Sequence, residues 1–359
     1  MIKTNEIRKI IFNLFSQNLE WVKENPSISF RPDFMNGYIC PLCFEVFFEK
    51  DLDITLENHL TLEDIPPKTL GGHPQALTCK KCNNESGKEL DIHLLNRLLD
   101  IDSKAFLPNS KTAATYEING FKMNGVFEFD KNGKAILNFQ PKHSNPKDAD
   151  SFMADLFPPK TIYNPLFLLN RELVDESRSP SFNIQPKQRL KADERRSEIA
   201  LLRIAYLIAF STLGNGFLIN AGLYKVREQI LNPDKSILPK PFWINYDFPK
   251  EMEGINIITL PKELRSFLIV FSLKTNSKSR RFAIVLPGPS DPGIKVYDYI
   301  EKYICTGHGS ESVNFTTEHL PKFDYLNKDE YTFGGHQFWD KYTADDYKPN
   351  LKPDKEIKI

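Results

Sequence analysis

Apolar residues at the start of the chain recur at the spacing of one face of an α-helix. They are Ile7, Ile10, Ile11, Leu14, Phe15, Leu19 and Val22, and the pattern ends at Pro26. A recurrence close to 3.6 residues indicates an amphipathic helix, so residues 1–30 are predicted to form a packing helix and its exit. The segment lacks the continuous apolar run and the small-residue cleavage site of a secretion signal, and we therefore expect a cytoplasmic protein.

The patterning changes over the next seventy residues. Residues 37–48 have the pattern of a short hairpin, and residues 60–72 contain a strand pattern that is broken by two prolines and two glycines. Residues 82–99 return to a helical spacing. The order of hairpin, strand segment and helix is that of a ββα unit.

The remainder of the chain predicts mixed structure. Asn-Gly pairs at 119–120, 124–125 and 132–133 interrupt alternating runs between residues 113 and 139, which indicates hairpins. Helices are predicted at 148–156, 187–214 and 223–231, strands at 267–273 and 282–286, and a helix or strand at 294–303. The predicted fold class is α+β, with a ββα module near the N-terminus followed by a mixed helix/sheet domain.

Length and composition set the domain organisation. With 359 residues, 40% of them hydrophobic, the chain can bury the cores of roughly two to three domains. We predict an N-terminal helix at 1–30, a compact module at 31–110, a mixed accessory domain of unknown role at 111–346 and a flexible tail at 347–359. The most apolar stretch, residues 199–210, contains Arg203 and is well short of the roughly 20 apolar residues that a membrane span needs. We therefore expect no membrane association.

The charge balance limits how the chain can attract a partner. Lys and Arg together number 47, and Asp and Glu together also number 47. A net charge of zero excludes a general attraction to nucleic acid, so any such binding must use a local patch. Lysines at 68, 80, 81 and 88 could contact phosphates, and a solvated surface is an equally good account of them.

Four of the five cysteines form two C-x-x-C pairs. The pairs are Cys40/Cys43 and Cys79/Cys82, with 35 residues between them, and Cys305 stands alone. Paired C-x-x-C motifs in a chain without an export signal indicate a metal site, and four thiolates suit tetrahedral Zn²⁺. A closed four-thiolate site is structural because it leaves no open coordination position. An iron–sulfur cluster and a redox C-x-x-C are the alternatives.

Oxygen donors lie between and directly after the cysteine pairs. Glu63 and Asp64 precede two prolines, and Asn83 follows the last paired cysteine. Carboxylate and amide oxygens suit a hard cation such as Mg²⁺ or Mn²⁺, and zinc would hold the two backbones side by side. An ion bound by only two side chains keeps positions open for phosphate oxygens.

These motifs together resemble those of the HNH, or ββα-metal, endonucleases, especially the endonuclease VII-like and McrA-like branch. The matching residues are Cys40-Pro-Leu-Cys43, Glu63-Asp64-Ile65-Pro66-Pro67, Gly71-Gly72 and Cys79-Lys-Lys-Cys82-Asn83. The resemblance covers residues 38–98, about a sixth of the chain. It implies a zinc-stapled ββα-metal nuclease module in which Glu63 takes the place of the metal-binding acid and Asn83 that of the central asparagine.

One departure from the family pattern concerns the general base. Asp64 falls where the family has a histidine, and a carboxylate is a weaker base than imidazole at neutral pH unless burial or charge raises its pKa. Three nearby histidines are candidate substitutes, namely His59, His73 and His93. At about 100° per residue neither His93 nor Asp91 lies on the same helix face as Asn83, so the helical pattern supports neither strongly.

The resemblance implies a metal-dependent endonuclease that hydrolyses phosphodiester bonds. DNA is favoured over RNA as the substrate because that is the usual substrate of the family. A role in bacterial defence would suit this architecture. A regulatory partner protein is a further expectation for a nuclease with a large appended domain. The alternative is a catalytically inactive zinc module that binds nucleic acid or a partner protein. The missing base histidine motivates this alternative, whereas retention of both Glu63 and Asn83 favours the nuclease.

Overall fold

The computed structural model describes residues 4–156, 182–187, 192–239, 243–244, 248–289, 292–302, 314–320, 323–328 and 357–358. Its helices are α1 (Thr4–Lys23), α2 (Lys80–Ser86), α3 (Ile92–Lys104), α4 (Pro146–Leu156), α5 (Glu194–Leu213), α6 (Asn215–Leu218), α7 (Leu223–Leu231) and α8 (Val296–Ile300). A π-helical turn, Gly87–Asp91, joins α2 to α3. The predicted mixture of helices and sheets is confirmed.

The strands pair in antiparallel fashion. They are β1 (Tyr38–Ile39), β2 (Val46–Phe47), β3 (Leu60–Ile65), β4 (His73–Cys79), β5 (Lys111–Ile118), β6 (Phe121–Phe129), β7 (Ala135–Phe139), β8 (Phe182–Pro186), β9 (Trp243–Ile244), β10 (Gly254–Leu260), β11 (Ser266–Lys274), β12 (Ser279–Pro287), β13 (Asn314–His319) and β14 (Ile357–Lys358). The sheets have the orders β1-β2, β3-β4, β7-β6-β5-β8 and β14-β13-β10-β11-β12-β9.

The contacts group the chain into two compact units. Unit 1 comprises Met1–Leu95, Ala192–Thr275 and Ser279–Ile359, and unit 2 comprises Asn96–Lys191 and Asn276–Lys278. Helix α1, the cysteine-rich segment and α5 therefore belong to one unit, although long stretches of sequence separate them. The domain boundaries stated above stay predictions. The tail from residue 347 lies outside the described residues, except for β14, which pairs with β13.

In unit 1, helix α1 packs against the first cysteine hairpin. The ring of Tyr38 in β1 stacks near Phe12 and meets the edge of Phe15, and Phe15 also contacts Phe210 of α5. The Tyr38 hydroxyl donates to the carbonyl oxygen of Leu77 (2.7 Å) and accepts from its N–H (2.9 Å). This buried phenol ties β1 to β4, because both of its hydrogen-bonding capacities are satisfied by one residue.

The strands of the ββα unit are β3 and β4. Leu60 lies opposite Cys79 and Ile65 opposite His73, with an irregularity between Glu63 and Asp64. The short hairpin predicted at 37–48 forms as the pair β1–β2, which precedes these strands in the chain. Strand β4 has no alternating pattern because its first residues are exposed or half-buried and its last four are all buried. Helix α2 follows β4 directly, which completes the unit.

Helix α5 runs through the core of unit 1. Of its 20 residues, 13 are buried, and it packs against β11, β12 and α7. It begins at Glu194, where the Asp193 side chain caps it by accepting from Arg196 N–H. The prediction placed its start at Lys187, but Lys187 is extended and its N–H bonds to Ala113. Among the described residues, no helix is long and apolar enough to cross a membrane.

In unit 2, a four-stranded sheet packs one face against α4. Asn119 and Gly120 both have positive φ (48° and 86°) and form the β5–β6 turn, as the Asn-Gly signal predicts. The turn predicted at Asn124-Gly125 is wrong, because Gly125 lies inside β6 opposite Ala114. A Cβ there would lie 2.4 Å from the Tyr116 ring. This glycine therefore permits a close packing contact instead of a turn.

The loop between β3 and β4 depends on Gly72. A Cβ on this residue would lie 1.5 Å from the carbonyl oxygen of Pro66. We predict that Gly72→Ala lowers the free energy of unfolding by at least about 2 kcal/mol, because backbone must move to make room. Urea titration monitored by circular dichroism measures this. Gly87→Ala is the control, because no atom lies within 4 Å of its added Cβ, and its effect is expected to stay within about 1 kcal/mol. Equal midpoints for Gly72→Ala and wild type would contradict the prediction.

Candidate metal centre and the acidic site beside it

The four paired cysteines converge on one point. Their sulfur atoms all lie within 4.8 Å of one another, and the Cys43 and Cys79 sulfurs are 3.8 Å apart. Tetrahedral zinc with bonds of about 2.3 Å places its sulfur ligands roughly 3.8 Å from each other, so this geometry fits the ion. The cysteine cluster is thus able to hold a metal ion such as zinc. Cys305 lies outside the described residues.

Local backbone structure turns the sulfurs inward. The N–H of Cys79 donates to the Cys40 sulfur (3.5 Å), and the N–H of Cys82 donates to the Cys79 sulfur (3.4 Å). Phe44, just after the first pair, has a φ of 64°, which closes a tight turn in which its N–H bonds to Cys40. Cys79 caps the start of α2, where the positive end of the helix dipole favours a thiolate.

The thiols influence each other's ionisation. Hydrogen bonds from the Cys40, Cys43 and Cys82 thiols lower the pKa of Cys79. Contact with the thiols of Cys40, Cys43 and Cys79, together with burial, raises the pKa of Cys82. Gathering four thiolates in such a space needs a cation to offset their repulsion, which is the electrostatic condition that a divalent metal satisfies.

Glu63 lies on the buried face of β3 beside this cluster. Its side chain is 5% exposed, and Arg203 of α5 donates to its Oε1 at 2.6 Å. The Thr78 hydroxyl donates to its Oε2 at 2.7 Å. Each carboxylate oxygen accepts one hydrogen bond in this arrangement and therefore keeps a lone pair that an ion could use. Glu63 is thus held by two partners that the sequence analysis did not assign to it.

Asp91 reaches the same guanidinium from the π-helical turn. Its two carboxylate oxygens lie 3.3 and 3.4 Å from Arg203 Nη1. Ideal helical spacing places Asp91 off the face of the helix that carries Asn83. A π-helical turn holds about one extra residue, which brings Asp91 to within roughly 20° of Asn83 and moves His93 to the opposite side. The turn therefore directs Asp91 toward Glu63.

Asn83 fastens the helix to β3. Its side-chain Nδ2 donates to the Thr61 hydroxyl (2.9 Å) and to the carbonyl oxygen of Leu62 (3.2 Å), the residue before Glu63. With the amide nitrogen used in this way, no described residue donates to Oδ1. The amide is therefore oriented, and its acceptor oxygen remains available to an ion or an outside donor.

Asp64 follows Glu63 in β3 at the irregularity of the strand pair and is half-buried. Burial raises the pKa of its carboxyl, and Lys68 and His73 oppose that shift while Glu63 adds to it. His73 is exposed at the start of β4, opposite Ile65 in the strand register. The structure thus places Asp64 and His73 near one another, and the role of each as a general base stays a prediction.

The other two histidines make structural contacts. His59 is buried and its Nδ1 lies 2.8 Å from the carbonyl oxygen of Leu56. His93 Nδ1 accepts from the N–H of Asp193 (3.1 Å), the residue that caps α5. Neither contact involves Glu63, Asp91 or Asn83. The contact of His59 stabilises the loop before β3, and the contact of His93 stabilises the start of α5.

Arg203 is the site residue that sequence reasoning missed. It had been treated only as an interruption of the apolar stretch 199–210, although a charged side chain in a buried helix requires a partner of opposite charge. That signal predicts a buried carboxylate somewhere in the fold without naming it. The spacing of Glu63, Asp91 and Arg203 in sequence gives no further clue.

Comparisons of this chain with protein-family models, with curated proteins and with solved structures give no match. The resemblance of the cysteine, Glu-Asp and asparagine motifs to the ββα-metal endonucleases therefore remains an expectation from the sequence. The observed geometry establishes the cysteine cluster and the hairpin-and-helix frame around it.

We predict that the purified protein carries one zinc ion per chain and that Cys82→Ser loses most of it, because three thiolates bind the ion less tightly than four. Metal analysis by mass spectrometry measures the content, and thermal unfolding with and without a chelator measures the stability that the ion contributes. Cys305→Ser is the matched control and should retain zinc. Iron with acid-labile sulfide, or a metal-free chain of unchanged stability, would contradict the prediction.

Proposed function

We propose that this protein is a metal-dependent endonuclease that hydrolyses phosphodiester bonds of nucleic acid, with DNA favoured over RNA. The observation that carries the proposal is the frame at the cysteine cluster. The antiparallel pair β3–β4 and helix α2 meet there, and Asn83 on the helix bonds to the strand residue that precedes Glu63. A purely structural zinc ribbon needs neither of these oxygen-bearing side chains.

The oxygen donors suit a hard divalent cation such as Mg²⁺ or Mn²⁺. Asn83 presents Oδ1 with its amide orientation fixed by two donated hydrogen bonds. Glu63 is the acid of the motif, and each of its oxygens keeps a lone pair beside its present partner. A bound cation would stabilise negative charge on the phosphate and on the leaving oxygen.

Asp64 is the residue we assign to activating water, and His73 is an imidazole that acts electrostatically on it. Partial burial raises the pKa of Asp64, which makes its carboxylate a better base than a fully solvated one. Lys68 and Lys81 are exposed on the same module and supply positive charge for a phosphate backbone. A local patch of this kind is what a chain of zero net charge needs in order to bind nucleic acid.

A second candidate function is a zinc module that binds nucleic acid or protein without cutting it. One observation favours it: the Glu63 side chain is almost fully buried and already paired with Arg203. The absence of a histidine at position 64 points the same way. The two functions make opposite predictions for cleavage and share the prediction of zinc binding.

We predict that the purified protein nicks or linearises supercoiled plasmid in Mg²⁺ or Mn²⁺ but not in EDTA. Asn83→Ala and Glu63→Gln should each reduce the cleavage rate by about 100-fold or more, because each removes an oxygen that would hold the cation that stabilises charge at the phosphate. Asp64→Asn should reduce it by about 100-fold through loss of the base. Gel electrophoresis of timed reactions at equal zinc content measures these rates, and an RNA of the same sequence tests the preference for DNA.

Asn84→Ala is the matched control for Asn83→Ala. Asn84 is the next residue of the same helix and is exposed, so its loss should leave the rate within about twofold of wild type. Equal rates for the two asparagine variants would remove Asn83 from the site. A zinc-loaded, folded protein that cuts neither DNA nor RNA with either cation, yet shifts nucleic acid in a gel, would favour the binding module.

A further inference from the structure

We propose that Arg203 is a positioning residue for the metal-binding acid of this site, and that helix α5 thereby forms an essential part of the nuclease. The inference rests on the proposed function, because it concerns how Glu63 and Asp91 are presented to a divalent cation. It adds two residues, Arg203 and Asp91, that lie outside the motifs described above.

The geometry of the guanidinium supports this role. Nη2 donates to Glu63 Oε1 at 2.6 Å, and Nη1 lies 3.3 and 3.4 Å from the two oxygens of Asp91. One planar group therefore fixes the direction of two carboxylates that come from different elements, β3 and the π-helical turn. Lysine, with a single compact charge, cannot reproduce this two-sided contact.

Charge balance also requires a cation at this position. Burial lowers the pKa of Arg203, but the adjacent carboxylates of Glu63 and Asp91 raise it, and the net direction is upward. Without Arg203, the two carboxylates would repel each other next to the cysteine cluster. The guanidinium offsets this repulsion and holds the two carboxylates side by side, an arrangement in which they can attract a divalent ion.

Burial indicates that Arg203 stays in place. Its side chain is 1% exposed, and it projects from the middle of a helix whose residues on every side are buried. Withdrawal from Glu63 would leave an unpaired buried charge, which is strongly unfavourable. The free lone pairs of Glu63 allow an ion to bind while the arginine remains. Arg203 therefore acts through Glu63 and does not have to leave.

The same helix makes a second connection to the metal centre. Tyr206, one turn after Arg203, donates its hydroxyl to the carbonyl oxygen of Pro41, between the first two cysteines. Residues more than a hundred positions apart in sequence thus support one site. It follows that a segment limited to residues 31–110 lacks the positioning arginine.

We test this with Arg203→Met and Arg203→Lys in the full chain, at matched zinc content. The expected result is a loss of about 10- to 100-fold in Mn²⁺ affinity, measured by titration calorimetry, with a comparable loss of kcat and an unchanged KM for plasmid DNA. Arg203→Lys should recover part of the affinity, because it restores the charge without the bridging geometry. Should Arg203→Met fail to fold, Arg203→Lys decides the question by itself.

Arg196→Met is the control. Arg196 belongs to the same helix and pairs with Glu89 of the π-helical turn and with Asp234, but it does not contact Glu63. Its loss should leave Mn²⁺ affinity within about twofold of wild type. A purely structural Arg203 would lower the thermal midpoint while the folded variants kept their Mn²⁺ affinity and kcat, and that result would overturn the inference.

Two other outcomes also decide the matter. Tighter Mn²⁺ binding or faster cutting by the Arg203 variants would overturn the positioning role, because it would show that the arginine competes with the ion. A wild type that neither binds Mn²⁺ nor cuts would overturn the proposed function, and the inference with it. Mn²⁺ binding by the wild type that is weakened in Asn83→Ala but unchanged in the Arg203 variants would leave the function standing and reject this inference alone.

Discussion

The convergence of four cysteine sulfurs within 4.8 Å is the constraint on which the rest of this site depends. It brings the turn after β1 together with the end of β4 and the start of α2, which lie further along the chain, beyond β2 and β3. Because α2 begins at the cluster, the side chain of Asn83 meets β3 directly. A metal ion at this point would hold the hairpin and the helix in register by a few short bonds, in addition to the buried side chains around them.

A second set of interactions joins this small frame to the core of unit 1. Arg203 and Tyr206 project from α5 toward the frame, one to the buried carboxylate of Glu63 and the other to the carbonyl of Pro41. Tyr38 of β1 packs its ring against Phe12 and Phe15 of α1 and donates its hydroxyl to the carbonyl oxygen of Leu77 in β4. Buried polar groups of this kind must be satisfied, and their geometry therefore fixes the position of the frame on the core.

Several elements were predictable because their signals are local. Helix α7 ends where Asn232-Pro233 breaks the pattern, and strands β11 and β12 follow from short, strongly apolar runs. Strand β4 escaped prediction because its burial does not alternate, and the turn assigned at Gly125 was wrong because the glycine accommodates the ring of Tyr116. In both cases packing against other elements decides the outcome, and the pattern of the segment itself does not encode that packing.

The candidate site likewise has some features that local sequence predicts and others that depend on long-range packing. The sequence by itself determined the cysteine cluster and the pairing of an acidic motif with Asn83, because C-x-x-C spacing and the chemistry of the side chains are properties of short segments. Only the tertiary structure decided which partners Glu63 has, because Arg203 lies 140 residues away on a helix that packs against the module. It also decided where Asp91 points, since a π-helical turn changes the rotation that ideal helical spacing predicts. The local sequence therefore identifies the functional side chains, and long-range packing determines how these side chains are oriented.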